Sequence, residues 1–128
     1  MAHSLYFDIP PTPKGRPRFS RQGGSVRVHK PAITRKFEDA ITALCKKYWK
    51  ASPLDGPLKV EIDFFITPPR TVKRKYPTVR PDVDNYCKSV LDAMNNIVYN
   101  DDAQIITLTA NKIYREDSGI GVTIHELH

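Results

Sequence analysis

Leu58, Val60, Ile62, Phe64 and Ile66 alternate with Lys59, Glu61, Asp63 and Phe65, and a period of two marks a strand with one face in a core. Such a strand constrains the rest of the chain, because its apolar face needs a covering layer. Two stretches offer one. Phe37, Ile41, Leu44, Cys45 and Tyr48 follow Thr34, a good N-cap residue, at helical spacing, which predicts a helix over about 34–50. Val83, Cys87, Val90, Leu91, Met94 and Val98 form a single apolar stripe, which predicts a second helix over about 83–96. Asn95-Asn96 suits its end, since Asn tolerates left-handed backbone.

The flanks read as strands. Leu5 to Ile9 is a short one, stopped by Pro10-Pro11, and 12–25 is a loop with Gly23-Gly24 as a hairpin turn before Val26-Arg27-Val28. Two more strands are expected over about 104–114 and 119–126, joined by a turn at Glu116-Asp117-Ser118-Gly119. The order β(β)αβαββ predicts an α+β fold, a mixed β-sheet of about four to five strands with two helices packed on it. At 128 residues, residues 1–128 are most simply one domain with a real core. No apolar run approaches the roughly 20 residues of a membrane helix. The start, MAHSLYFDIPP, lacks a signal-peptide pattern, so a cytoplasmic protein is expected. Cys45 and Cys87 read as small buried thiols in a reducing compartment.

The formal net charge is +6, and its distribution says more than its size. Thr12 to Lys36 holds Lys14, Arg16, Arg18, Arg21, Arg27, Lys30, Arg35 and Lys36 with no acid, and Pro68 to Arg80 holds Arg70, Lys73, Arg74, Lys75 and Arg80 with none either. Solvated loops usually mix signs; unmixed basic loops match a polyanion.

Against that background the carboxylates of residues 80–104 stand out. Asp82 and Asp84 precede the second helix, Lys88 lies one turn inside it, and Asp101-Asp102 follow its end. Asp84, Lys88 and Asp92 share one helix edge. Taken alone, Asp84 reads as an N-cap with a surface partner at Lys88, an exposed pair worth only about 0.3–0.5 kcal/mol. Asp82 and the later Asp pair shift that balance, because crowded like charges in a basic protein call for a cation. Oxygen ligands suit Mg²⁺, which commonly keeps several waters and few carboxylates.

Pro81-Asp82-Val83-Asp84-Asn85, Lys88, Leu91-Asp92-Ala93-Met94 and Asp101-Asp102-Ala103-Gln104, with Gly15-Arg16-Pro17-Arg18-Phe19 upstream, resemble the RusA family of Holliday junction resolvases. The resemblance implies a homodimeric endodeoxyribonuclease that cuts four-way, branched DNA by two symmetric incisions. It places Mg²⁺ binding on Asp82, Asp84 and Asp102, with Mn²⁺ as a substitute, and makes Lys88 the basic partner in catalysis. Asp101 is the alternative ligand of its pair, and Asp92 is read as a supporting residue. Arg16, Arg18, Arg70, Lys73, Arg74, Lys75 and Arg80 are the expected DNA-binding side chains. Tyr76 is read either as a wedge at the junction centre or as an aromatic covering the core. Three rivals stay open at this point: a nuclease for other branched or single-stranded DNA, a ribonuclease, and a non-enzymatic nucleic-acid-binding module.

Overall fold

The computed structural model describes the backbone of residues 1–15, 18–29 and 31–128, and the side chains of 1–15, 23–24 and 31–128. Chain order is β1 (Ala2–Phe7), β2 (Arg18–Gln22), β3 (Ser25–His29), α1 (Ala32–Tyr48), β4 (Leu58–Ile66), α2 (Val83–Met94), β5 (Ile105–Tyr114) and β6 (Gly119–Glu126). A single 3₁₀ turn, Asp102–Gln104, leads into β5.

The main sheet has four strands in the order β1-β6-β4-β5. β6 runs antiparallel to both β1 and β4, whereas β4 and β5 are parallel, so the sheet is mixed, as the pattern predicts. A parallel pair cannot be joined by a hairpin; it needs a crossover. Here the crossover is the basic loop after β4, then α2, then the 3₁₀ turn. Asp82, Asp84 and Lys88 therefore ride on the crossover, and Asp102 sits where it rejoins the sheet.

The alternation in β4 is realised residue by residue: Leu58, Val60, Ile62 and Phe64 are buried. They share a core with Leu5 and Phe7 of β1, Ile120, Val122 and Ile124 of β6, and the inner faces of both helices. Phe37, Ile41 and Cys45 come from α1; Tyr86, Val90 and Met94 come from α2. Tyr86 stacks on Phe64 with ring centroids 5.2 Å apart, and Thr42 Oγ1 donates to the Ala93 carbonyl at 3.2 Å, tying the helices together. Both cysteines are free and buried; burial pushes the Cys45 thiol up to about 12 and the Cys87 thiol up to about 11. Coverage runs out at the edge strand. Leu108 pairs with Val60, on the helix side of the sheet, yet is 44% exposed.

Four local readings change. β1 spans Ala2–Phe7, not Leu5 to Ile9, because its pairing with β6 runs from Ala2 opposite His125 to Phe7 opposite Ile120. β2 starts at Arg18, inside the stretch read as a loop, and pairs with β3 across Gly23-Gly24 as a separate two-stranded sheet. Both glycines have positive φ, 56° and 85°, which only glycine adopts without steric cost. α1 begins earlier than predicted, with Pro31 at the cap; Thr34 lies inside the first turn, fully buried, because its hydroxyl accepts from Gly15 N at 2.9 Å instead. α2 ends at Met94, and Asn96 then takes φ 67°, the geometry the Asn pair suits.

Candidate active site

The entry into α2 is fixed from outside the helix. Lys112 of β5 donates to the Val79 carbonyl at 2.9 Å and the Pro81 carbonyl at 3.0 Å, so the edge strand pins the last residues before Asp82. Asp82 is the N-cap residue, but its carboxylate makes no capping bond. Asp84 lies in the first turn, not at the cap. Among the described residues, no hydrogen bond or ion pair engages the side chains of Asp82, Asp84 or Lys88, and all three are exposed. The surface-pair reading of Asp84 and Lys88 thus has no bond to support it.

At the far end of the crossover the neighbouring carboxylates divide. Asp101 Oδ1 accepts from Ala103 N at 3.2 Å while Gln104 Oε1 accepts from Asp101 N at 2.8 Å, a reciprocal capping box on the 3₁₀ turn. Gln104 is held in turn by the Leu54 and Gly56 carbonyls, at 3.0 and 2.9 Å. Asp102 is positioned through its backbone, whose N–H donates to Asn95 Oδ1 at 2.8 Å. Its carboxyl pKa is raised, first by burial, then by the hydrogen bond with Asp101 and the charges of Asp92 and Asp101, with Lys88 acting against them. The Asp101 pKa is lowered, chiefly by the Ala103 backbone bond.

Asp84, Lys88 and Asp102 line one hollow of about 450 Å³, floored by Val83, Cys87, Leu91, Leu108 and Ala110. Two carboxylates against one ammonium leave this hollow net negative, so a phosphate could approach only with a bound cation to offset that charge. Asp82 stays outside this lining, and no three His, Cys, Asp or Glu side chains among the described residues converge closely enough to cage a metal. The donor chemistry nonetheless fits Mg²⁺, a hard ion typically bound through one or two carboxylates plus waters and substrate phosphate, not by an all-protein cage. A larger hollow of about 820 Å³ near Tyr6 and the β5–β6 turn contains none of the predicted site residues; there Arg115 stacks on the Phe65 ring at 3.8 Å.

The basic loop after β4 presents Arg70, Lys73, Arg74, Lys75 and Arg80 at the surface. Arg74 is partly committed, with Nε donating to the Tyr114 hydroxyl at 3.0 Å. Tyr76 does not cover the core: it is 63% exposed, and Lys75 lies over its ring at 5.4 Å. Arg16 lies outside the described residues, as does the side chain of Arg18. Lys14, part of the acid-free run, turns inward. Its ammonium sits 3.0 Å from Glu38 Oε1 and 3.0 Å from Asp92 Oδ2. Burial pulls the Lys14 pKa down, but the bonds and charges of these two carboxylates outweigh it and leave it raised.

Sequence reasoning missed Lys112, the hold of Asn95 on the Asp102 backbone and the inward role of Lys14. The one available signal was Lys112, a charge on the inward register of a strand, opposite Phe64.

The crossover thus sets a carboxylate-and-lysine hollow on the helix that the basic loop leads into. The sequence profile described as Endodeoxyribonuclease RusA matches residues 8–125, and the chain belongs to that family: it is a phosphodiester-cleaving hydrolase. It is similar to the crossover junction endodeoxyribonuclease rusA of Lactococcus phage r1t, 36% identical over 94% of this chain and 93% of that protein. It is also similar to uncharacterized protein YqaN of Bacillus subtilis (strain 168), 32% identical over 91% of each. Among the described residues, no helix is long and apolar enough to cross a membrane.

Proposed function

We propose that this endodeoxyribonuclease resolves four-way DNA junctions by paired, Mg²⁺-dependent hydrolysis of phosphodiesters, acting as a homodimer. The observation that carries the reading is the meeting of Asp84, Lys88 and Asp102 on one hollow, next to an acid-free basic loop, in a chain so similar to a phage crossover junction nuclease.

Asp84 and Asp102, with Asp82 at the helix cap, would hold the metal. When bound, the ion polarises the scissile phosphate and makes water a better nucleophile at neutral pH. The protein's own contribution is placement. Lys88 sets a positive charge beside the phosphate oxygens, where negative charge grows in the transition state. Asn95, through the Asp102 backbone, and Lys112, through the Pro81 carbonyl, hold the two carboxylate-bearing segments still. Arg16, Arg18, Arg70, Lys73, Arg74, Lys75 and Arg80 bind flanking phosphates, which orients DNA without reading its sequence. A twofold dimer matches the pseudo-twofold symmetry of a junction and delivers two matched cuts.

The experiment compares a four-way junction with a linear duplex of the same sequence, with and without Mg²⁺ or Mn²⁺. Symmetric nicks in the junction alone, and only with metal, are expected. Equal cutting of the duplex would transfer the protein to a less selective nuclease class.

A further inference from the structure

Lys14 and Gly15 are the last described residues before the basic segment that contains the β2–β3 hairpin, and both are clamped. The Lys14 ammonium bonds Glu38 of α1 through both carboxylate oxygens, at 3.0 and 3.2 Å, and reaches Asp92 of α2 at 3.0 Å. Its backbone N–H donates to the Asn85 carbonyl in the first turn of α2 at 3.1 Å. The Lys14 and Glu38 side chains are only 18% and 10% exposed, and Asp92 is 26% exposed, so water screens this bridge less than it would a surface pair. Gly15 N donates to the buried Thr34 hydroxyl at 2.9 Å. A side chain at Gly15 has no room: a Cβ there would lie 2.6 Å from Thr34 Oγ1 and 2.8 Å from the Pro31 ring. Pro31 is where the segment returns to α1, so its two ends meet at this one point.

The helix that receives these bonds is the one that carries the site. Asp92 lies one turn beyond Lys88 on the same edge of α2, and Asn85 adjoins Asp84. We infer that Lys14 is a positioning residue: by joining Glu38 and Asp92 it fixes the root of the basic hairpin to α2, so that phosphates gripped by the hairpin arrive in register with Asp84 and Lys88. The inference rests on the nuclease reading above and deepens it. Lys14 touches no reacting atom. It sets the distance between the surface that holds DNA and the groups that cut it, and a misplacement of about 1 Å can cost on the order of a hundredfold in rate.

The test is single-turnover cleavage of a four-way junction in Mg²⁺, with enzyme in excess, which separates the saturated rate from the half-saturating concentration. Lys14→Met is expected to lower the saturated rate about tenfold or more, with half-saturation moved less than about threefold. Lys14→Arg, which can still span both carboxylates, should recover most of the rate. Gly15→Ala displaces the hairpin root without removing any charge and should show the same signature; it decides the matter if Lys14→Met does not fold. A wild-type saturated rate in Gly15→Ala and in folded Lys14→Met overturns the positioning role. So does weaker binding with an unchanged saturated rate, which would make Lys14 a plain DNA-binding side chain. If the wild type cuts no branched DNA, the nuclease reading itself fails, and this role goes with it.

Discussion

Lys112 on β5 donates to the Pro81 carbonyl at 3.0 Å, so a lysine on the edge strand holds the residue that immediately precedes Asp82. Replacing it with Met keeps the apolar stem and deletes both charge-assisted bonds to the loop. Lys112→Met should destabilise the fold by about 1–3 kcal/mol, read as a lower urea midpoint with an unchanged m-value. It should also slow cleavage more than it weakens DNA binding. An unchanged midpoint and rate would show that α2 is positioned without it.

Asp101 and Asp102 are adjacent in sequence and differ in employment. Asp101→Ala removes the cap of the 3₁₀ turn and should lower the melting temperature slightly while cleavage persists. Asp102→Asn should leave the melting temperature unchanged or raise it, because it relieves repulsion with Asp101 and Asp92, and should abolish cleavage while junction binding holds or tightens. The reverse pattern would exchange the two assignments.

The elements whose residues obey a simple period were legible in the sequence. β4 and the α2 stripe were readable because each side chain's environment follows from its place in the repeat, and Gly23-Gly24 announced a turn through the positive-φ backbone that glycine adopts most readily. Thr34 was misread as a cap since its hydroxyl is claimed by Gly15, a partner nineteen residues away. Lys14 was hidden for the same reason. It stands in an acid-free run that as a whole matches a polyanion, and only tertiary packing brings Glu38 and Asp92 to it. Of the candidate site, the carboxylates and Lys88 were legible as residue types. Their arrangement was not, because it depends on where the crossover returns to the sheet. The meeting of Asp84, Lys88 and Asp102 on one hollow, with Asp82 outside it, is a property of that return.

The raised pKa of Asp102 gives a pH dependence of definite sign. A carboxyl that binds its proton more tightly in the folded state costs stability once ionised. Stability is therefore lost as pH rises from the ordinary value of 3.8 through the raised folded value. Any stability advantage of Asp102→Asn over wild type should be present at pH 7 and vanish below the ordinary carboxylate value. Urea midpoints at acid and neutral pH check this. An advantage independent of pH would assign the effect to packing.

Metal binding should act in the opposite direction at neutral pH, since an ion that binds only the folded state stabilises it by mass action. Millimolar Mg²⁺ should raise the wild-type melting temperature and have little effect on an Asp84→Asn, Asp102→Asn double variant. Equal shifts in both would place the ion elsewhere.

The basic loop should govern binding through its hold on DNA phosphates. Alanine at Arg70, Lys73, Lys75 or Arg80 is expected to weaken junction affinity and to flatten its salt dependence by about 0.9 in log–log slope for each phosphate no longer neutralised. Arg74→Ala should also loosen the loop, because its guanidinium is bound to Tyr114. A slope unchanged by all four alanines would remove this loop from the DNA footprint.

Asp84 and Asp102, brought to one hollow with Lys88 by the β4–β5 crossover, are the groups expected to perform the cutting. The most direct measurement is single-turnover nicking of a four-way junction in Mg²⁺ by wild type, Asp84→Asn and Asp102→Asn, with junction binding measured alongside. A loss of at least about a hundredfold is expected in each variant, with binding retained. Wild-type nicking by either variant would contradict it.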